Sequence, residues 1–299
     1  MILDTIVGGK EITYRPTKKQ PIPDDIRCKY CGSSYIVRYG KYRGTQQYMC
    51  KDCNRKSADN KALPGMQMPP EVIGSALSMF YEGASCASIR RQLRQIYHVQ
   101  PSKSTIYNWW VEYTKKATEL ASDSKPKTGK SWVVNETVLK VGGEDTWFWD
   151  VIDSDTKFLI SSHVSDTRGT EDAETVMKKA QDKTSLPPEF IISDKLASYV
   201  EGIDRVFGTD MWYKESQGFA GRIVTRLIER FHGTLRDRAK IMRGLKSINT
   251  AKLATDGWLV HYNFFRPHPS LENKTPSEVA GIKFPYSDWT EIVRGSKKL

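Results

Sequence analysis

Two cysteine pairs restrict the fold of this chain more than any other stretch of its sequence. Cys28-x-x-Cys31 and Cys50-x-x-Cys53 are separated by the 18 residues 32–49. Thiolates three positions apart can grip one tetrahedral ion, and two such knuckles close a site of four sulfur ligands. Gly32 and Asn54 follow the pairs, and both residue types accept the positive φ that tight knuckles need. Between the pairs, Tyr35–Tyr39 and Gln46–Met49 alternate like two short strands around a Gly40–Gly44 turn. The pattern predicts a zinc ribbon over 27–58. Its Zn2+ is expected to be structural, because four protein ligands leave no open coordination position. Cys86 lies apart in a helical pattern and reads as a small buried residue rather than a ligand.

Charge points the same end of the chain toward a polyanion. The whole sequence carries 46 Lys+Arg against 35 Asp+Glu, a net +11. Residues 1–69 hold 13 basic against 6 acidic side chains, which leaves 33 against 29 for the remainder. A basic front end gains sequence-independent affinity for nucleic acid through counterion release. No run of 18 apolar residues is present, and the first 20 residues lack an apolar run behind a basic end. Neither a membrane span nor a secretory signal is therefore expected. Cysteines placed for a metal suit a reducing compartment, so the expected location is intracellular.

Four segments follow one another. Residues 1–26 are polar and Pro-bearing and read as an irregular arm, ahead of the ribbon at 27–58. Residues 69–121 read as helices. Pro70 opens a first helix that ends near Gly83, Ser88–Gln95 forms a second, and Ser102 or Ser104 caps a third beginning at Thr105. This is a helix-turn-helix pattern. In the third helix Thr105, Tyr107 and Asn108 are of types that reach bases or phosphates, while Ile106, Trp109 and Trp110 suit a core. A plain helical bundle is the competing reading. Ser122–Lys130, rich in turn formers and charge, reads as a linker.

From Trp132 the period changes to two. Trp132–Val141, Trp147–Asp153 and Lys157–His163 read as three strands, with Gly142-Gly143 as a turn. Glu171–Lys183 is helical, and Glu189–Asp194 is a short buried strand. Arg222–Lys240 is a long helix whose Val224, Ile228, Phe231 and Leu235 fall on one face. The fold class is α/β: a mixed sheet with flanking helices over 130–285, preceded by the small ribbon and the all-α unit.

The order of these elements resembles the ribonuclease-H-like core of insertion-sequence DDE transposases and retroviral integrases. The motifs that carry the resemblance are Trp132-Val-Val-Asn135-Glu-Thr, Ile191-Ile-Ser-Asp194, and Ile228-Glu229 followed by Arg236. Asp194 and Glu229 have 34 residues between them, and the tail Tyr262–Leu271 with Thr275-Pro-Ser-Glu278 fits the same family. The resemblance spans roughly residues 25–280 and includes zinc-ribbon and helix-turn-helix front ends.

It implies a transposase that binds element ends and performs cleavage and strand transfer with two Mg2+ or Mn2+ ions. Asp194 and Glu229 would each hold an ion, Arg236 a DNA phosphate, and His232 a second phosphate unless it is simply a surface histidine. The implied partners are double-stranded DNA, both terminal inverted repeats and target, and a second copy of the chain or more. The implied setting is a prokaryotic cytoplasm, at the nucleoid.

One position departs from the pattern. Asn135 stands where the family has its first catalytic aspartate, as in a decayed, domesticated or engineered copy. An amide can ligate a hard cation but brings no charge, so activity is expected to fall. The alternative is a catalytically inactive DNA-binding protein derived from a transposase. Glu136 cannot take over, because adjacent strand residues face opposite sides. Asp150 or Asp153 on the partner strand could lie near, depending on the hairpin register.

Overall fold

The computed structural model describes residues 6–7, 10–11, 21–42, 44–60, 62–193, 197–215, 231–233, 235–236 and 245–295. They fall into two compact units, divided between Gln67 and Met68. The first begins with an antiparallel pair, β1 (Ile6–Val7) and β2 (Lys10–Glu11), inside the arm expected to be irregular. It continues with β3 (Ile36–Tyr42), β4 (Thr45–Cys50) and β5 (Lys56–Ala58) in one antiparallel sheet ordered β3-β4-β5. The third strand was not foreseen. Cys28, Ile36, Tyr48 and Cys50 are its buried centre, with Ile22, Ile26 and Tyr30 packed around them. So small a core cannot bury enough surface to be stable by itself, which is where four clustered thiols become significant.

In the second unit α1 (Pro70–Tyr81), α2 (Cys86–Tyr97) and α3 (Lys103–Ala121) come first. Pro70 fills the first helical position, where its missing N–H costs nothing. Ser85 and Ser102 cap the next two helices by accepting the Ser88 and Thr105 amides. Cys86 begins α2 and is half-buried, not enclosed as expected. The segment read as a linker is tied down through the Lys127 N–H, which donates to Ala280 O.

The sheet contains β6 (Ser131–Val141), β7 (Glu144–Asp153), β8 (Leu159–Ser165), β9 (Phe190–Ser193) and β10 (Trp212–Glu215), in the order β10-β9-β6-β7-β8. Strands β6, β7 and β8 are antiparallel neighbours, while β9 runs parallel to β6 and β10 parallel to β9. Three antiparallel strands followed by two parallel ones, with the first strand central, is the expected ribonuclease-H-like sheet. Helix α4 (Thr170–Lys183) makes the crossover between β8 and β9, and α5 (Ala197–Phe207) that between β9 and β10. Residues 231–233 and 235–236 are helical. After them come α6 (Ile248–Val260), a π-helical turn (His261–Phe265), α7 (Pro276–Val279) and α8 (Trp289–Gly295).

Gly142 and Gly143, at φ +64° and +98°, make the two-residue β6–β7 turn. A turn with two positive-φ residues matches strand twist and fixes the register across the hairpin. Val141 pairs with Glu144, and six residues back along β6, Asn135 pairs with Asp150. Alternation then sorts the side chains. Glu136 and Trp149 face Tyr199 of α5, whereas Phe148 and Asp150 face Phe231 and His232. Among the described residues no helix is long and apolar enough to cross a membrane.

Candidate active site

The central strand presents Asn135, half-buried, on the sheet face that also meets Phe231 and His232. Asn135 Oδ1 accepts the Glu136 N–H at 2.8 Å, so this amide is already engaged by its own backbone. Directly opposite, Asp150 is wholly buried. Its Oδ2 accepts from His232 Nε2, and its Oδ1 has no hydrogen-bond partner among the described residues. Burial pushes the Asp150 carboxyl above the ordinary carboxylate range, and the neighbouring His232 pulls the other way.

The two other acids of the hairpin are committed elsewhere. Glu136 points to the opposite face, where Tyr199 Oη donates to Oε2 and Arg168 Nε donates to Oε1 at 3.0 Å. Asp153 pairs with Trp132 and spends its carboxylate on the Gly129 and Thr156 amides and the Thr156 hydroxyl. The choice between Asp150 and Asp153, open in the sequence, falls to Asp150. A two-residue Gly-Gly turn held the signal, since counting back from it sets the register.

Asp194 and Glu229 lie outside the described residues, as do Val224 and Ile228. Phe231 and Leu235 are buried, in keeping with the inward stripe. Arg236 is exposed, and its Nε donates to His232 O at 3.4 Å. His232 requires a correction. It is neither a surface histidine nor turned outward to a phosphate, because its ring is buried against Asp150.

In the helical segment Ile106, Trp109 and Trp110 are buried, while Tyr107 and Asn108 are exposed and Thr105 is half-buried. The third helix thus keeps its polar first turn accessible, as its sequence led us to expect.

The four cysteines of the first unit converge, with all their sulfurs within 4.8 Å of one another. Cys28 and Cys53 sulfurs are 3.5 Å apart, and those of Cys31 and Cys50 3.6 Å. A tetrahedral ion with bonds of about 2.3 Å needs sulfur–sulfur edges of roughly 3.8 Å, so the cluster is compatible with structural zinc. Gly32 at φ +76° and Asn54 at φ +54° turn the two knuckles as anticipated. The thiols share their protons unevenly. Cys50 is lowered to about 7, first by the Cys53 N–H. For Cys31 the Ser33 N–H pulls downward, but desolvation and the neighbouring sulfurs push it up to about 12.

Comparison with known proteins adds the family. Residues 129–268 match the DDE domain of IS240-type transposases. No curated protein matches the chain. Among solved structures, the HTLV-2 integrase catalytic core domain in complex with magnesium (trimeric form) is 12% identical over 52% of this chain and 97% of that one, with a TM-score of 0.40. The simian T-cell lymphotropic virus intasome, in complex with PP2A regulatory subunit B56 gamma, is 11% identical over 72% and 77%, with a TM-score of 0.41. The BIV integrase catalytic core domain is 16% identical over 51% and 93%, with a TM-score of 0.39. At these scores the likenesses carry no argument, and the fold rests on the strand order above. With that strand order and the family match, residues 129–268 are a DDE domain of the kind that DNA-processing transposases carry.

Proposed function

We propose that this protein is a transposase that binds element-end DNA and performs divalent-metal-dependent cleavage and strand transfer. The DDE-domain match over residues 129–268 carries the reading. Asn135, Asp194 and Glu229 take the three positions of the catalytic set, and Asp194 and Glu229 hold the cations. Two Mg2+ or Mn2+ ions bound there would activate the attacking oxygen and stabilise the leaving one. Arg236, exposed and seven positions beyond Glu229 in sequence, binds a DNA phosphate through its planar guanidinium. Thr105, Tyr107 and Asn108 on α3 approach the terminal repeat, and the 1–26 arm and the ribbon at 27–58 extend the contact. Zn2+ on Cys28, Cys31, Cys50 and Cys53 holds the ribbon together. Bringing two ends together calls for at least two copies of the chain, in the cytoplasm of a prokaryote, at the nucleoid.

Asn135 favours a second reading, a DNA-binding protein that has lost its chemistry. Strand transfer on candidate terminal repeats, with and without Mg2+, separates the two. The expected outcome is Mg2+-dependent joining that disappears in Asp194→Asn and Glu229→Gln and increases in Asn135→Asp. Equal rates for the chain and Asn135→Asp would mean that this position is not catalytic. Gel shifts without joining in any variant would favour the binding protein. In the same gel shifts, Cys53→Ser should lose both zinc and affinity for the ends.

A further inference from the structure

Asp150 is a fully buried carboxyl group, and its contacts account for only one of its two oxygens. His232 Nε2 reaches one carboxylate oxygen, and the other is orphaned among the described residues inside a fully buried side chain. Burying a carboxylate with half of its acceptors unused is unfavourable. A structural role opposite His232 would be served as well by asparagine, whose carbonyl accepts the same bond without the charge. The free oxygen leaves this carboxyl open to a further ligand on that side.

Across the strand pair stands Asn135, the position where the proposed cation site lacks a charge. Directly opposed residues of an antiparallel pair share a face, with Cβ atoms about 5 Å apart. Carboxylate and amide can therefore reach one point between them. Asn135 contributes little there, because its Oδ1 already accepts the Glu136 amide. Neither other hairpin acid competes: Glu136 faces away, and Asp153 is spent on backbone amides. His232, the hydrogen-bond partner of Asp150, is three residues beyond Glu229 in sequence.

We propose that Asp150 is a ligand of the divalent cation, supplying from β7 the carboxylate that β6 lacks at Asn135. The proposal rests on the metal-dependent reading above and moves one ligand a single strand sideways. The net charge facing the cations then matches that of a three-acid site.

Mn2+ titration of the zinc-loaded full-length chain, followed by electron paramagnetic resonance, tests this without relying on catalysis. Asp150→Asn should weaken Mn2+ binding at least tenfold while the circular dichroism spectrum is kept. Adding Asn135→Asp to that variant should bring the affinity back to within about threefold of the starting chain. Wild-type Mn2+ affinity in Asp150→Asn would overturn the assignment. So would a double variant as weak as the single one, or misfolding of both, which would make Asp150 a structural residue. Failure of the transposase reading looks different: Mn2+ binding would still depend on Asp150, yet no variant would join DNA.

Discussion

Glu136 shows how a single residue beside the site acquires a different task. Its carboxylate is almost completely buried, bonded by Tyr199 Oη on one oxygen and Arg168 on the other. Arg168 also lies over the Trp147 ring, 4.5 Å from its centroid. Removing one partner of a buried ion pair leaves an uncompensated charge and typically costs 3–5 kcal/mol. Arg168 is partly exposed, so water can replace some of its contribution, and Arg168→Ala should destabilise the second unit by about 2–3 kcal/mol. Glu136→Gln, which keeps an acceptor for Tyr199 and removes the charge, should cost less. Urea denaturation gives the comparison, and the reverse order would show that this pair does not hold the face together. Parity along the strand was enough to place Glu136 on the face opposite Asn135. Its partners were not legible, because Tyr199 lies 63 residues away in α5, a helix with no motif to mark what it touches.

At the scale of elements, the tail after α6 was legible as a motif and opaque as a structure. Family resemblance singled out Tyr262–Leu271, but nothing in its sequence announced a π-helical turn at His261–Phe265. That turn directs Asn263 inward, where its amide exchanges two 2.9 Å hydrogen bonds with the Leu159 backbone and ties the tail to an edge strand. Thr275 and Glu278 close a reciprocal capping box at α7, a pattern that sequence alone can show. Within the tail His268 packs edge-on against Tyr262 at 4.6 Å. Burial, with Arg266 adding to it, lowers the His268 pKa to about 4. An unfolded histidine titrates near 6.5, so between those values the unfolded chain binds the proton and the folded one does not. Stability from this group is complete above about pH 6.5 and is lost as pH falls toward 4. Between pH 7 and pH 4.5 the melting temperature of the chain should therefore fall further than that of His268→Gln. Parallel declines in the two would rule out His268 as the source of that sensitivity.

For the whole molecule, the sequence divides differently from the way the second unit packs. Composition and period suggested a helical DNA-binding segment at 69–121, then a linker, then the α/β core. Yet α1 and α3 share a core with the C-terminal helices of the same unit. Tyr81 of α1 stacks on Trp289 of α8 with ring centroids 4.8 Å apart, and its hydroxyl bonds Thr114 and Trp110 of α3. Gly74 and Gly257 mark where backbones come closest. A Cβ at Gly74 would sit 2.5 Å from Thr290 Cα, and one at Gly257 only 1.9 Å from Tyr81 Oη. The contacts that α1 makes with α6 and α8 join residues more than 170 positions apart, which no local pattern can encode. Stripping α1–α3 away would expose Trp289, Ile292, Val293 and Ala251 together. At about 1.5–3 kcal/mol for each large apolar side chain, that loss rivals the roughly 5–15 kcal/mol by which a domain is folded. A fragment of residues 68–297 should thus fold and melt cooperatively, since the unit boundary lies at its start. A fragment starting at Gly129, which keeps the entire family-matched segment, should be aggregated or unfolded. Dispersed amide spectra from the shorter fragment would contradict this and make the helices an appendage. If it is unfolded, α1–α3 are part of the scaffold of the second unit, with Tyr81 tying Thr114 of α3 to Trp289 of α8.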